Sequence, residues 1–394
     1  MASWSQTKHR SDMPSQHAFL SPSASHRWLN CTPAPHLEYG VEDKGSDFAL
    51  EGTLAHAYCA RRLKEMLELP HEEEDAEIAE LHDRFYAKEM DEYVDYYVTT
   101  VWQKYLEASD KTRDAKLLVE VRLDFSKYIP ESFGTSDAVI IADGMMEVID
   151  FKYGKGVKVD AKGNPQMQIY ALGAYEAFSD EYRIESVRMT IVQPRIDNVS
   201  VADISIKNLV AWGIRILRPR AYMAYRGEGE QVPGEWCQFC KVKPRCKAIA
   251  TKSMEIVRRF DDKDLLTKED MENEILPALP VVRTWLDGIE KYALDQALSG
   301  VDYEGYKVVA GRSIRRITDA EAVSDVLSRN GYSTELFLKP RELRTITDLE
   351  KLIGRSKFSE LCGEYIDKPQ GKPTLVPVTD KRPPFNPADD FAGI

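Results

Sequence analysis

Asp137, Asp150 and Lys152 are the residues whose types and spacing suit chemistry. Two carboxylates can hold a divalent cation. An ammonium beside them can orient a water and stabilise charge on phosphate, a set suited to phosphodiester hydrolysis. Twelve residues separate the two acids. Within them, the apolar runs 138–142 and 145–149 flank Asp143-Gly144, and Asp-Gly between β-rich runs is a strong hairpin signal. A hairpin sets the start of one strand beside the end of the next, which gathers all three residues at one sheet edge. Alternation points Asp150 and Lys152 to one side and Phe151 into the core. The Phe151 backbone carbonyl is a further candidate ligand. Alone, Asp-x-Lys is a weak motif, since a surface hairpin with incidental charges reads the same way.

A second constellation is Cys237, Cys240 and Cys246, a C-x₂-C-x₅-C run. Thiolates so spaced can wrap a metal, because a tight turn brings the first two sulfurs together. Three thiolates leave a site one short. Cys31, just before the helix that carries His56, is the best fourth. Cys59 competes, but its place on an amphipathic helix fits a buried structural cysteine, and Cys362 reads as structural too. Four thiolates also suit zinc.

The elements that must position these residues follow from patterning. Residues 20–31 read as a capped short helix, with Ser21 or Ser23 as N-cap and Pro22 early in it. Residues 51–69 form a helix that Thr53 caps. Residues 72–108 form a long amphipathic helix or a helix pair. A strand covers 116–125, and the central hairpin follows. Residues 164–178 are helical, 187–192 and 199–206 are paired strands, and 209–225 is a helix that Pro219 kinks or divides. Beyond the acidic stretch 261–270 come a helix at 281–298, a hairpin at 303–317 around Ala310-Gly311, and helices at 320–329 and 347–361. The order predicts mixed α/β with a sheet centred on the hairpin. The expected divisions are a flexible leader at 1–16, a core at 17–259, an accessory region at 260–366, and an extended Pro-rich tail at 367–394. In that tail Asp389-Asp390-Phe391 resembles a short docking peptide.

The totals set bounds. The chain has 394 residues and a net charge of −12, which argues against a protein that coats nucleic acid nonspecifically. Basic residues are locally concentrated, and Lys155 and Lys158 beside the hairpin are candidate DNA contacts. No apolar run approaches a membrane span, and residues 1–16 lack the apolar segment of a secretory signal. A cytoplasmic setting is therefore expected, where clustered cysteines point to metal ligation more than to disulfides.

The pattern Asp137…Asp150-x-Lys152, followed by Gln166 and Tyr170 on the next helix, resembles the PD-(D/E)XK nuclease superfamily, and more narrowly its RecB-like branch. That branch carries a histidine in a Gly-x-x-x-His setting, matched here by Gly52-Thr53-Leu54-Ala55-His56. The resemblance implies a restriction-endonuclease-like core and makes His56, Asp137 and Asp150 ligands of Mg²⁺ or Mn²⁺. It makes Gln166 and Tyr170 supporting residues that contact DNA phosphate. Glu120 is a looser additional acid. Cys31 with the late cysteine run is similar to the iron–sulfur clasp of AddB-type nucleases, which implies a [4Fe–4S] cluster, with zinc as the alternative. Segments across the chain also resemble a phage and prophage family of this length, which implies a role in DNA replication or recombination in a bacterial host. The implied activity is a metal-dependent deoxyribonuclease, an exonuclease, leaving a 5′-phosphate and 3′-hydroxyl. A phage single-strand-binding or recombination protein is the implied partner. The rival reading is a nuclease fold that binds DNA or a partner without turnover.

Overall fold

The structure is a computed structural model of the chain, and it describes residues 18–41, 47–260, 264–311, 315–339, 342–367, 371–377 and 383–385. The expected leader at 1–16 and the docking peptide at 389–391 lie outside the described residues. The chain divides into two compact units, Met1–Trp285 and Leu286–Ile394.

The first unit is built on a five-stranded mixed sheet in the order β1-β2-β3-β4-β5. The strands are β1 (Lys116–Asp124), β2 (Phe133–Ala142), β3 (Gly144–Phe151), β4 (Ile184–Gln193) and β5 (Asn198–Ser205). The β2–β3 hairpin forms as expected, with Ala142 opposite Met145 and Ala138 opposite Ile149. Strand β3 then pairs in parallel with β4. A parallel pair needs a crossover, and α6 (Pro165–Phe178) supplies it. Asn164 starts that helix by accepting a hydrogen bond from the Met167 N–H, an ordinary N-cap.

Helices cover both faces of the sheet. On one lie α3 (Asp47–Met66), α4 (Glu72–Phe85) and α5 (Glu89–Lys111). There Leu54, Leu63, Tyr97 and Val101 pack on Leu117, Ala138, Ile140 and Phe151. On the other face Trp28, Met167, Ile169, Leu172 and Leu217 pack on Leu123, Val139, Ile141, Met146 and Val148. Burying two such faces is what holds the unit together. The helix expected over 209–225 divides into Ile206–Trp212 and Arg218–Arg226 around a π turn at Gly213–Leu217, just before Pro219, which cannot supply the continuing N–H.

Four local expectations are corrected. Helix α3 begins at Asp47, so Thr53 lies inside it, its hydroxyl donating to the Ala49 carbonyl. Neither Ser21 nor Ser23 caps the first helix: no side chain bonds its N-terminus, and the two hydroxyls lie 3.3 Å from each other. The region 303–317 does not fold on itself. Tyr306–Gly311 pairs with Gly371–Pro377, and Arg316–Ile317 with Ile366–Asp367. The tail therefore contributes a strand to the second unit. Finally, the helix at 347–361 is two, Ile346–Ile353 and Arg355–Cys362, parted by Gly354 at φ +91°. Val323, Leu327, Phe337, Leu349, Phe358 and Cys362 form the core of the second unit.

Candidate metal centre

The site lies where β2 and β3 part. Their recorded ladder ends at Ala138 opposite Ile149. Beyond it the Phe151 N–H donates to Asp137 Oδ2 at 2.7 Å. The Asp137 carboxylate thus takes a ladder position at the mouth of the split. His56, on α3, places Nδ1 3.4 Å from Asp137 Oδ1, and its ring stands edge-on to Phe151 at 5.1 Å.

Glu120 completes the arrangement through its backbone. It sits mid-strand in β1 at φ +50°, a conformation non-glycine residues rarely adopt in a strand. Val119 pairs with Ala138 and Val121 with Ser136, so Glu120 stands at the register position of Asp137. At this residue the strand changes phase. Leu117 and Val119 belong to the α3–α5 core, whereas Val121 and Leu123 belong to the α6 core. Plain alternation would turn Glu120 towards α6, with Leu118. The left-handed residue brings it to the α3 side instead. One ligand atom from each of His56, Glu120 and Asp137 then lies within 4.8 Å of the other two.

Asp150, Lys152 and Gln166 form an adjoining network on the α6 side. Lys152 Nζ donates to Asp150 Oδ1 at 3.1 Å and to Gln166 Oε1 at 3.3 Å, and Gln166 Nε2 donates to Asp150 Oδ1 at 3.0 Å. Asp150 Oδ2 is buried and faces Lys152 Nζ at 2.9 Å without hydrogen-bonding geometry. Tyr170, one turn along α6, is buried against Phe125. Burial raises its hydroxyl pKa, and the Asp150 and Asp137 charges raise it further.

The electrostatics are those of carboxylates crowded with too few cations. Burial and the Asp137 charge push Glu120 up to about 8. Burial likewise raises Asp150, against the pull of Lys152. Asp137 is lowered, because His56 outweighs its burial. Burial works to lower His56, but the Asp137 charge and hydrogen bond win and raise it to about 9. A proton on His56 and one on Glu120 offset the charge that a divalent cation would otherwise neutralise.

His56, Glu120, Phe151 and Lys152 line one cavity of about 780 Å³, together with Gly52, Lys64, Glu73, Glu74, Glu77, Arg122, Thr135 and Tyr153. Lys155 and Lys158 are exposed on the loop after β3. That loop is pinned by Gln193, which accepts from the Val159 N–H and donates to the Val157 carbonyl.

The cysteines form a separate centre. Cys31, Cys237, Cys240 and Cys246 line a single small cavity with Trp236, Val242 and Ile249, and all four are free thiols. Burial raises Cys31 and Cys237, and pushes Cys240 up to about 12. The two flanks are also joined by side chains. Arg27 donates to Glu38 and to the Phe239 carbonyl, and Glu38 accepts from the Lys241 N–H. Cys59 is buried in the α3–α5 core.

A family model described as "Protein of unknown function (DUF2800)" matches residues 17–383. The chain belongs to the DUF2800 family. The matched span of this DUF2800 member takes in both centres and most of the second unit. A solved structure, "Crystal structure of SSO0001", is similar at 15% identity over 57% of this chain and 96% of that chain, with a TM-score of 0.22. A likeness at that score carries no argument.

Among the described residues of this DUF2800 chain, no helix is long and apolar enough to cross a membrane.

Proposed function

We propose that this chain hydrolyses DNA phosphodiester bonds with a divalent metal ion, on a restriction-endonuclease-like core. One observation carries the reading: His56, Glu120 and Asp137 converge within 4.8 Å beside the Asp150–Lys152–Gln166 network. The donor set, one imidazole and two carboxylates, suits Mg²⁺ or Mn²⁺. Buried Asp150 Oδ2 accepts no hydrogen bond and faces the Lys152 ammonium at 2.9 Å, so it keeps lone pairs that a cation could share. Bound there, Mg²⁺ or Mn²⁺ would acidify a water and offset phosphate charge.

The chain's own residues do the rest. Asp150 and Gln166 hold the Lys152 ammonium at the cavity wall, where it can orient a water and stabilise charge on a phosphate oxygen. His56 and Asp137 fix one another, and Asp137 is anchored by the Phe151 N–H. Tyr170 supports Gln166 from the same helix. The Phe151 carbonyl, Lys155 and Lys158 remain secondary candidates for metal and DNA contact.

For the four cysteines we propose a [4Fe–4S] cluster. Their lining of one cavity supports a shared metal group. Four thiolates also suit zinc; the cluster is preferred on the resemblance to the iron–sulfur clasp of AddB-type nucleases. A role in phage DNA replication or recombination, beside a single-strand-binding or recombination protein, fits this activity.

End-labelled single- and double-stranded substrates, incubated with Mg²⁺ or Mn²⁺, test the reading. Wild type should shorten labelled strands, and Asp137→Ala and Lys152→Ala should not, with folding unchanged by circular dichroism. Wild type that binds DNA without cutting it would make this a binding module. Variants that cut at the wild-type rate would remove the site assignment. An anaerobic absorption spectrum with metal analysis separates cluster from zinc.

A further inference from the structure

We propose that Arg122, with Thr135, forms a second phosphate-binding subsite in the cavity, for the nucleotide next to the cleaved bond. The proposal rests on the reading of the site as a DNA phosphodiesterase. It begins with the phase change at Glu120. Because that residue turns to the α3 side, Arg122 turns there as well, and it lines the same cavity as His56, Glu120 and Lys152. Arg122 pairs in register with Thr135, which lines the cavity beside it. The pair lies two residues along the sheet from Glu120 and Asp137. At the ordinary strand rise that is about 6.7 Å, the scale of one step along a nucleic-acid backbone.

Its lack of an ion-pair partner among the described residues separates Arg122 from the lysines of the cavity. Lys64 is paired with Glu74 at 2.6 Å, and Lys152 with Asp150 at 2.9 Å. Arg122 is exposed and makes no ion pair among the described residues. Its guanidinium lies 4.1 Å from the centroid of the Phe133 ring. Stacking on a ring restrains the fork while leaving its N–H donors open. A planar fork with free donors beside a threonine hydroxyl matches the oxygens of a phosphate diester. Glu73 and Glu77 of α4 line the same cavity, and their carboxylates disfavour a phosphate beside them and favour a path along Arg122.

The test is a coupling measurement on full-length protein. Affinity for a fluorescent single-stranded oligonucleotide is measured by anisotropy, with Ca²⁺ in place of Mg²⁺. Uncharged methylphosphonate replaces one phosphate at a time. For the all-phosphate oligonucleotide Arg122→Ala should weaken binding roughly 10- to 100-fold, the range for a charged hydrogen bond. Arg122→Lys should retain part of the affinity, since it keeps charge without the fork. One methylphosphonate position should weaken wild type and leave Arg122→Ala unaffected. Equal weakening of both proteins at every position would overturn the subsite, as would wild type that binds no DNA. DNA binding that shows the coupling without any cleavage would sink the phosphodiesterase reading and leave the subsite standing. Cleavage by wild type without the coupling would do the reverse.

Discussion

Replacing Glu120 by glutamine should stabilise the metal-free protein, and by an amount that grows with pH. In the fold Glu120 titrates at about 8, against an ordinary value of 4.5. Between those values the folded state holds a proton that the unfolded chain has released. Stability therefore falls as pH rises through this window. Each pK unit is worth about 1.4 kcal/mol. From pH 5 to 7.5 the folded chain should thus lose on the order of 3 kcal/mol through this one group. Glutamine mimics the protonated form, so the variant escapes the loss. The neighbours' contributions largely cancel in the comparison, because Glu120 is mostly uncharged in the fold up to about pH 7.5, as glutamine is. The assay is denaturant unfolding in a chelator, read by tryptophan fluorescence at pH 5 and 7.5. The two proteins should nearly coincide at pH 5, and the variant should be the more stable at pH 7.5. Adding Mn²⁺ should raise the wild-type midpoint more than that of Glu120→Gln, because it gives the carboxylate a partner. Parallel pH profiles in chelator would refute the burial of Glu120 beside Asp137.

At the same position Glu120→Gly should be more stable than Glu120→Ala by about 1 kcal/mol in chelator, because φ +50° strains any side chain. Ordinary strand positions show the opposite order, so a more stable alanine variant by chemical denaturation would remove the left-handed conformation. Gly173→Ala should cost about 1–3 kcal/mol of stability by denaturant unfolding, since a Cβ there would clash with Phe125 Cε1. An unchanged midpoint would show that α6 and β1 lie farther apart. Cys240→Ala should lose the proposed metal of the cysteine centre by elemental analysis and lower the thermal midpoint, while the Arg27–Phe239 and Lys241–Glu38 hydrogen bonds keep the segments joined. Full metal content in that variant would exclude Cys240 as a ligand.

Much of the first unit was legible because its decisive signals are local. Asp143-Gly144 between two apolar runs specifies a hairpin, and Asn164 before Pro165 specifies where α6 begins. Pro219 marks the break after Ile206–Trp212. The second unit was less legible for the converse reason. Tyr306–Gly311 finds its partner at Gly371–Pro377, some sixty residues on, and no local residue pattern records such a pairing. Ala310-Gly311 resembles a turn locally, but the long-range strand overrides it.

The site divides along the same line. Asp150 and Lys152 share a side because strand alternation requires it, and that much follows from spacing. Glu120 follows from no such rule. Alternation assigns it to the α6 face with Leu118, away from His56, and only its positive φ returns it to the α3 face. Strand β2 shifts with it: Ala138 belongs to the α3–α5 core, and its in-register partner Val119 does too, while a Cβ on Gly134 would meet Pro22 and Phe125. Both strands therefore change phase at the Glu120–Asp137 pair, the pair that converges with His56. A strained residue in the middle of a paired strand costs stability and persists only where its surroundings impose it. Here the strain delivers a second carboxylate to His56, beside Asp137, and turns Arg122 into the cavity wall. The backbone at one residue thus links the proposed metal centre to the proposed phosphate subsite.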